Sequence, residues 1–134
     1  MIERRATCAC GQLSATCTGA PLRVSVCHCF ACKRRTGSAF SLNARYPEAA
    51  VVTAGTSRSF ERKGDAGGTA TSHFCPTCGT TVWYTNSGAA GLVAIPAGGF
   101  ASLDVPAPTV SVYHDDSRRF GWAVIDCDPL DRIP

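Results

Sequence analysis

Seven of the nine cysteines fall in three short clusters, and their spacing is the feature of this sequence best suited to chemistry. The clusters are C-A-C-G at Cys8 to Gly11, C-H-C-F-A-C at Cys27 to Cys32 and C-P-T-C-G at Cys75 to Gly79. Thiolates that tight turns bring together bind soft or borderline metal ions, Zn²⁺ above all. We therefore interpret the clusters as metal ligands.

The C-x-x-C followed by glycine at Cys75 to Gly79 is typical of a zinc knuckle. Its turn aims two thiolates at one point, and the glycine lets the backbone approach the sulfur atoms. A closed structural site needs four ligands, and the C-x-C-G turn offers the natural second pair. The spacing predicts one structural zinc held by Cys8, Cys10, Cys75 and Cys78. The alternative is that these cysteines are merely buried apolar residues.

The remaining cluster offers three ligands within six residues, namely Cys27, Cys29 and Cys32. Three protein ligands with one open position are the pattern of a catalytic zinc. Three thiolates overcompensate a 2+ ion, so such a centre is a weak Lewis acid and a poor generator of hydroxide. It suits a substrate thiol that binds and leaves as a thiolate. We therefore predict a second, catalytic zinc whose chemistry concerns sulfur.

Other interpretations of the triplet remain open from the sequence. It could bind a second structural zinc, with a fourth ligand borrowed from Cys17, Cys127 or His73. An iron–sulfur cluster is a further alternative, although the spacing matches no common cluster motif. Haem attachment is excluded because lysine follows the triplet where histidine is required. His28, between two ligands, is expected to point away from the metal, either beside the ligands or exposed.

The elements that must position these clusters are short apolar runs interrupted by 13 glycines and 8 prolines. Short apolar runs separated by glycine and proline, without sustained helical periodicity, predict a mainly β fold. One or two helical turns are predicted around Phe30 to Arg35, and a turn at Lys63 to Gly68. The predicted strands are Leu13 to Cys17, Arg23 to Cys27, Ala39 to Arg45, Val51 to Ala54, Ser57 to Arg62, Thr69 to Phe74, Thr80 to Tyr84, Leu92 to Ile95, Val110 to Tyr113 and Trp122 to Ile125.

The composition of the 134 residues excludes several classes of protein. We expect one domain over residues 1–134, and 45% hydrophobic with only 17% charged residues argues against intrinsic disorder. A net charge of +3 is too small to indicate nucleic-acid binding. No apolar stretch approaches the roughly 20 residues of a membrane span, and because no apolar run precedes Cys8 we expect no secretory signal. We expect a cytoplasmic protein with reduced cysteines, while its oligomeric state stays open.

Taken together, the motifs resemble the glutathione-dependent formaldehyde-activating enzymes, a family that includes centromere protein V. The matching segments are C-x-C-G at Cys8 to Gly11, C-H-C-x-x-C at Cys27 to Cys32, K-R-R-T-G-S-A-F at Lys33 to Phe40, F-C-P-T-C-G-T at Phe74 to Thr80, V-A-I-P-A-G-G-F at Val93 to Phe100 and P-A-P-T-V-S-V-Y at Pro106 to Tyr113. The resemblance implies a β-tent of two small antiparallel sheets around zinc. It also implies the same structural and catalytic ligand sets.

The reaction implied by the resemblance condenses formaldehyde with glutathione to S-(hydroxymethyl)glutathione, formally a carbon–sulfur lyase reaction in reverse. Zinc would hold the glutathione sulfur as the attacking thiolate. Because glutathione carries two carboxylates, Lys33, Arg34 and Arg35 are predicted as a cationic binding rim, with a solvated basic turn as the alternative. His114 is expected to be a surface histidine. The competing function is a non-catalytic, zinc-stabilised β binding module.

Overall fold

Two β-sheets and one short helix make up the structure, a computed structural model that describes residues 1–64, 67–115 and 117–129. The helix α1 is Phe30–Thr36. The strands are β1 (Glu3–Thr7), β2 (Ser14–Thr18), β3 (Arg23–Cys27), β4 (Ser41–Pro47), β5 (Val51–Ala54), β6 (Arg58–Lys63), β7 (Thr69–Phe74), β8 (Thr81–Asn86), β9 (Leu92–Pro96), β10 (Val110–Val112) and β11 (Asp128–Pro129). Short 3₁₀ turns lie at Glu48–Ala50, Ser87–Ala89 and Ala97–Phe100.

The smaller sheet has the strand order β1-β2-β5, and the larger has the order β11-β10-β3-β4-β9-β8-β7-β6. All neighbours from β3 to β6 in the larger sheet pair antiparallel. Strand β10 is different, since it lies parallel to both β3 and β11. Residues directly opposite each other in adjacent strands point to the same side of a sheet, so this register decides which side chains meet.

The hydrophobic core lies between the two sheets. The smaller sheet and its turns contribute Ala6, Leu13, Ala15 and Cys17, and the larger contributes Val24, Ala44, Tyr46 and Ile95. Cys8 and Cys75 belong to the same buried cluster. A second, separate cluster is made by Cys27, Cys29, Cys32, Val112 and Tyr113. The two groups of metal-ligand candidates therefore lie in different packing environments.

The expectation of a mainly β fold with at most one short helix is confirmed. The predicted strand at Trp122 to Ile125 is wrong, because this segment forms a turn followed by irregular backbone. Its apolar residues do not face a core: Trp122 is 77% and Val124 67% exposed. Strand β1 was not predicted because it begins with the charged sequence Glu-Arg-Arg. Of the predicted turn after β6, residues 65 and 66 lie outside the described part of the chain.

Candidate metal centres

The two turns that carry the first set of cysteines are closed by glycines in the left-handed conformation. Gly11 has φ +85° and Gly79 φ +80°, values that favour glycine over any other residue. The Gly11 N–H donates to the Cys8 carbonyl oxygen at 3.0 Å, and the Gly79 N–H donates to that of Cys75 at 2.8 Å. Each glycine thus tightens its turn so that both cysteine side chains project to the same side.

The predicted set of four cysteines comes together in space. The sulfur atoms of Cys8, Cys10, Cys75 and Cys78 all lie within 4.8 Å of one another. The Sγ–Sγ distance is 3.6 Å both from Cys8 to Cys10 and from Cys10 to Cys75. Tetrahedral zinc with Zn–S bonds of about 2.3 Å requires sulfur atoms about 3.8 Å apart. The four thiols therefore fit a tetrahedral zinc ion.

Hydrogen bonds from Gln12 and Thr80 stabilise the thiolates of two of these four cysteines, Cys75 and Cys78. The side-chain amide of Gln12 donates to Cys75 Sγ at 3.0 Å and lowers the pKa of that thiol. Hydrogen bonding to the Thr80 hydroxyl, 3.4 Å from Cys78 Sγ, lowers the pKa of Cys78 to about 5. Donors to ligand sulfur fix its orientation and favour the deprotonated form that binds metal.

Gln12 links the cluster to the rest of the fold, because its Nε2 also donates to the Thr56 carbonyl oxygen and its Oε1 accepts from the Thr56 N–H. We expect Gln12→Ala to lower zinc affinity at this site about 10–100-fold, as loss of an outer-shell partner typically does. Competition against a chromophoric chelator measures the change. Ser59→Ala on exposed strand β6 is the control; equal affinities for the two variants would contradict the role given to Gln12.

The second set of cysteines is positioned where β3 passes into α1. Cys27 is the last residue of β3, and Cys29 is the N-cap of the helix, with extended backbone at φ −63° and ψ 153°. The Cys32 N–H donates to Cys29 Sγ at 3.3 Å, so the same sulfur caps the first turn. All three thiols are buried, and their sulfur atoms lie within 4.8 Å of one another.

These three thiols compete for one negative charge. Hydrogen bonds to the thiols of Cys29 and Cys32 raise the pKa of Cys27. Hydrogen bonds from the other two thiols lower the pKa of Cys32, and the charge of Arg35 adds to the effect. Three buried thiolates this close repel each other, so full ionisation requires a cation among them. A divalent metal ion fits this donor set.

None of the residues considered as a borrowed fourth ligand joins the triplet. Over residues 1–64, 67–115 and 117–129 the cluster contains Cys27, Cys29 and Cys32 alone. Cys17 packs in the core between the sheets, and the ring of His73 stacks on Trp83 with centroids 4.8 Å apart. The described residues thus supply three ligands, one fewer than a tetrahedral zinc ion takes.

His28 is fully buried and does not point at the sulfur atoms. Its Nε2 lies 2.9 Å from the Ser111 hydroxyl, which in turn lies 2.8 Å from Nδ1 of His114. Burial, followed by the charge of His114, lowers the pKa of His28 to about 4, so it is neutral at pH 7. His114 is half-buried in this network, where a surface position was expected. The network ties the triplet to β10.

The three predicted rim cations diverge from one another. Lys33 lies over the ring of Phe120, with Nζ 4.0 Å from its centroid, and Arg34 is exposed. Arg35 instead packs over the ring of Tyr84 at 5.0 Å. The charge of Arg35 contributes to the lowered pKa of Cys32 in the triplet.

A cleft opens beside the triplet, on the face of the larger sheet that is turned away from the core. Its walls include the triplet together with Asn43, Arg45, Arg62 and Tyr84. Burial raises the pKa of the Tyr84 hydroxyl, as does the negative charge of Cys32. None of these four wall residues was predicted, because they come from three different strands, β4, β6 and β8, and carry no local motif.

The family model for glutathione-dependent formaldehyde-activating enzymes matches residues 3–116, which include all seven clustered cysteines. The chain belongs to this family. A solved structure of a Rhodobacter sphaeroides protein from a structural genomics programme aligns with this chain at 16% identity and a TM-score of 0.58. The alignment covers 76% of this chain and 90% of that one, and at this identity the likeness concerns the fold alone.

No curated protein matches this chain. Family membership supports a function related to glutathione and formaldehyde, and the two cysteine clusters are consistent with zinc. No helix within the described residues is long and apolar enough to cross a membrane.

Proposed function

We propose that this protein is a zinc-dependent enzyme of the carbon–sulfur lyase type, which joins a thiol to formaldehyde or a similar small electrophile. Glutathione is the first candidate thiol, and S-(hydroxymethyl)glutathione the corresponding product. One observation carries the proposal: three buried thiols, with no fourth ligand from the described chain, form a wall of an open cleft. The family assignment supports the same chemistry.

In this proposal the two cysteine clusters have different roles. Cys8, Cys10, Cys75 and Cys78 hold a structural zinc, while Cys27, Cys29 and Cys32 hold a catalytic one. Bound at the triplet, zinc would keep a substrate thiol as thiolate at neutral pH. A reducing cytoplasm suits this chemistry because the cysteines that would hold zinc must stay reduced.

The chain's own residues position and protonate the reactants. The substrate thiol releases its proton to solvent, its sulfur forms a bond to the carbonyl carbon, and the C=O electron pair moves to oxygen. That oxygen then takes a proton from the Tyr84 hydroxyl, and solvent returns a proton to Tyr84. Tyr84 stands in the same cleft with its pKa raised by burial, so its hydroxyl stays protonated and donates to that oxygen. Breaking the C–S bond reverses these movements. The step needs no oxidant or reductant.

Exchange spectroscopy by nuclear magnetic resonance tests this function. We expect the zinc-loaded protein to accelerate exchange between glutathione, formaldehyde and their adduct above the uncatalysed rate. Cys127→Ser, which alters a cysteine outside both clusters, serves as the control and should exchange at the wild-type rate. An exchange rate equal to that of buffer would show that the named reaction is wrong here, and other thiols would be tested next.

One observation favours the alternative of a non-catalytic binding module. Phe120 and Trp122 form an exposed stacked pair with ring centroids 5.6 Å apart, beside the Lys33 ammonium group. Exposed aromatic residues of this kind are enriched where proteins bind partners. A protein that carries two zinc ions and folds stably, yet accelerates exchange for none of the thiols, would favour this function.

A further inference from the structure

A groove walled by exposed aromatic residues lies outside the cleft, between α1 and the turn at residues 120–122. Phe30 is 50% exposed, Phe120 44% and Trp122 77%, and all three line this aromatic groove. Single exposed apolar residues are ordinary on protein surfaces, whereas a patch of several large ones marks a surface that binds another molecule. Among the described residues, none lines both the aromatic groove and the cleft beside the triplet. The two surfaces are therefore separate.

The spacing of residues along α1 places cations on the same side of the helix as Phe30. Lys33, Arg34 and the C-cap Gly37 follow Phe30 by three, four and seven positions, and such positions share one face of an α-helix. The Lys33 Nζ lies 4.9 Å from the ring centroid of Phe30 and 4.0 Å from that of Phe120. The ammonium group thus contacts aromatic rings on both sides of the groove.

The positive charge of the aromatic groove is available to a ligand. Within the part of the chain that the structure describes, no carboxylate forms an ion pair with Lys33 or Arg34. The Lys33 ammonium donates to the Arg118 carbonyl oxygen and has two further N–H donors, while Arg34 is exposed. Cations in the last turn also interact favourably with the helix dipole, but that effect requires no aromatic residues around them.

The turn that carries the aromatic pair is held by hydrogen bonds. Arg119 Nε donates to the His114 carbonyl oxygen at 3.0 Å, and its Nη1 donates to those of Phe120 and Gly121 at 3.4 and 3.2 Å. The rings of Phe120 and Trp122 stack with an interplanar angle of 16°. A surface that is ordered before binding loses little conformational entropy when a partner arrives, so this arrangement favours recognition.

Charge and shape together favour one class of occupant. A second copy docked by two-fold symmetry would bring the same cations together, and like charges repel. Nucleic acid and anionic membranes are bound through runs of basic residues, about four to eight of them for a lipid surface, whereas this groove has two and the chain a net charge of only +3. A protein segment with carboxylates beside an apolar side chain matches both the walls and the charge.

We infer that the aromatic groove docks an acidic segment of a partner protein. One apolar side chain of that segment inserts between Phe30 and Trp122, and flanking carboxylates pair with Lys33 and Arg34. Tryptophan is enriched among the residues that dominate binding energy, and guanidinium groups bind carboxylates through two parallel hydrogen bonds. The inference does not rest on the proposed function, because docking in this groove does not occupy the cleft.

Selection of random dodecapeptides displayed on phage against the zinc-loaded protein supplies the probe. We expect the enriched sequences to carry several Asp or Glu residues next to an aromatic or aliphatic one. Fluorescein-labelled synthetic copies of the most enriched peptide then give affinities by fluorescence anisotropy. W122S should weaken binding about thirtyfold and R34E about tenfold or more. F60S and R58E are the matched controls, since both residues are exposed on β6 and lie outside the groove.

A charge swap tests the carboxylate contact directly. A copy of the peptide with lysine in place of its acidic residues should bind R34E more tightly than it binds the wild type. Trp122 and Arg34 are both exposed, so both variants should melt at the wild-type temperature in circular dichroism. If W122S does not fold, R34E and the charge swap decide the question.

The inference is wrong if no peptide is enriched, if the enriched peptides lack acidic residues, or if W122S and R34E bind as tightly as F60S and R58E. Tighter binding of oligothymidylate or of phosphatidylserine vesicles than of any selected peptide, lost in W122S, would also contradict it, because the groove would then bind nucleic acid or a membrane. None of these results changes the exchange assay, which tests the proposed function independently.

Discussion

Replacing Cys75 with serine is expected to prevent the protein from folding. Cys75 is completely buried, belongs to the core between the two sheets and accepts the hydrogen bond from Gln12. Its site joins the turn after β1 to the turn after β7, so a metal ion bound there would cross-link distant parts of the chain. Structural zinc contributes about 10–16 kcal/mol of apparent binding free energy, as much as the roughly 5–15 kcal/mol net stability of a whole domain.

Circular dichroism and zinc content together measure this effect. Cys75→Ser should lose the strand signal and the cooperative melting transition of the wild type, and chelation of both metals from the wild type should do the same. Cys127→Ser, also a cysteine-to-serine change, should melt like the wild type because Cys127 belongs to neither cluster. A Cys75→Ser protein that melts at the wild-type temperature would contradict a structural role for this site.

The sequence was sufficient to predict the local parts of the site. Ligand spacing within each cluster is a local property, because a turn closed by Gly11 or Gly79 brings its two sulfur atoms together whatever the rest of the fold does. The helix after the triplet was also predictable, because its hydrogen bonds join residues close in sequence; it begins at Phe30, and the Cys29 side chain caps it. Most strands of the larger sheet were predictable as well, because the alternation of apolar and polar residues along a strand is also a local pattern.

What the sequence could not predict depends on pairing between distant strands. Arg45 on β4 and Arg62 on β6 line one cleft, although β9, β8 and β7 lie between these two strands in the sheet. The local sequence does not indicate this order of strands. The parallel pairing of β10 with β3, which brings Ser111 to His28, is equally non-local. Lys33 and Arg34 were chosen as rim residues for their position next to the triplet in sequence, yet they project away from the cleft that Arg45 and Arg62 line.

The packing of the triplet predicts a different outcome for Cys29→Ser than for Cys75→Ser. The triplet lies in a packing cluster separate from the main core, so losing its metal removes no link between the sheets. Serine is also one of the preferred N-cap residues, and its hydroxyl can accept the Cys32 N–H as the Cys29 sulfur does. The substitution therefore removes a metal ligand while it leaves the start of α1 intact.

We accordingly expect Cys29→Ser to bind one zinc per chain where the wild type binds two, to melt within a few degrees of the wild type, and to exchange glutathione and formaldehyde at the uncatalysed rate. Zinc per chain, measured on protein purified with reductant and without chelator, is the first readout. A wild type with one zinc, even after thiol is added, would contradict a second metal site. If Cys29→Ser unfolds as Cys75→Ser should, the triplet is structural, and its open fourth position no longer supports a catalytic role.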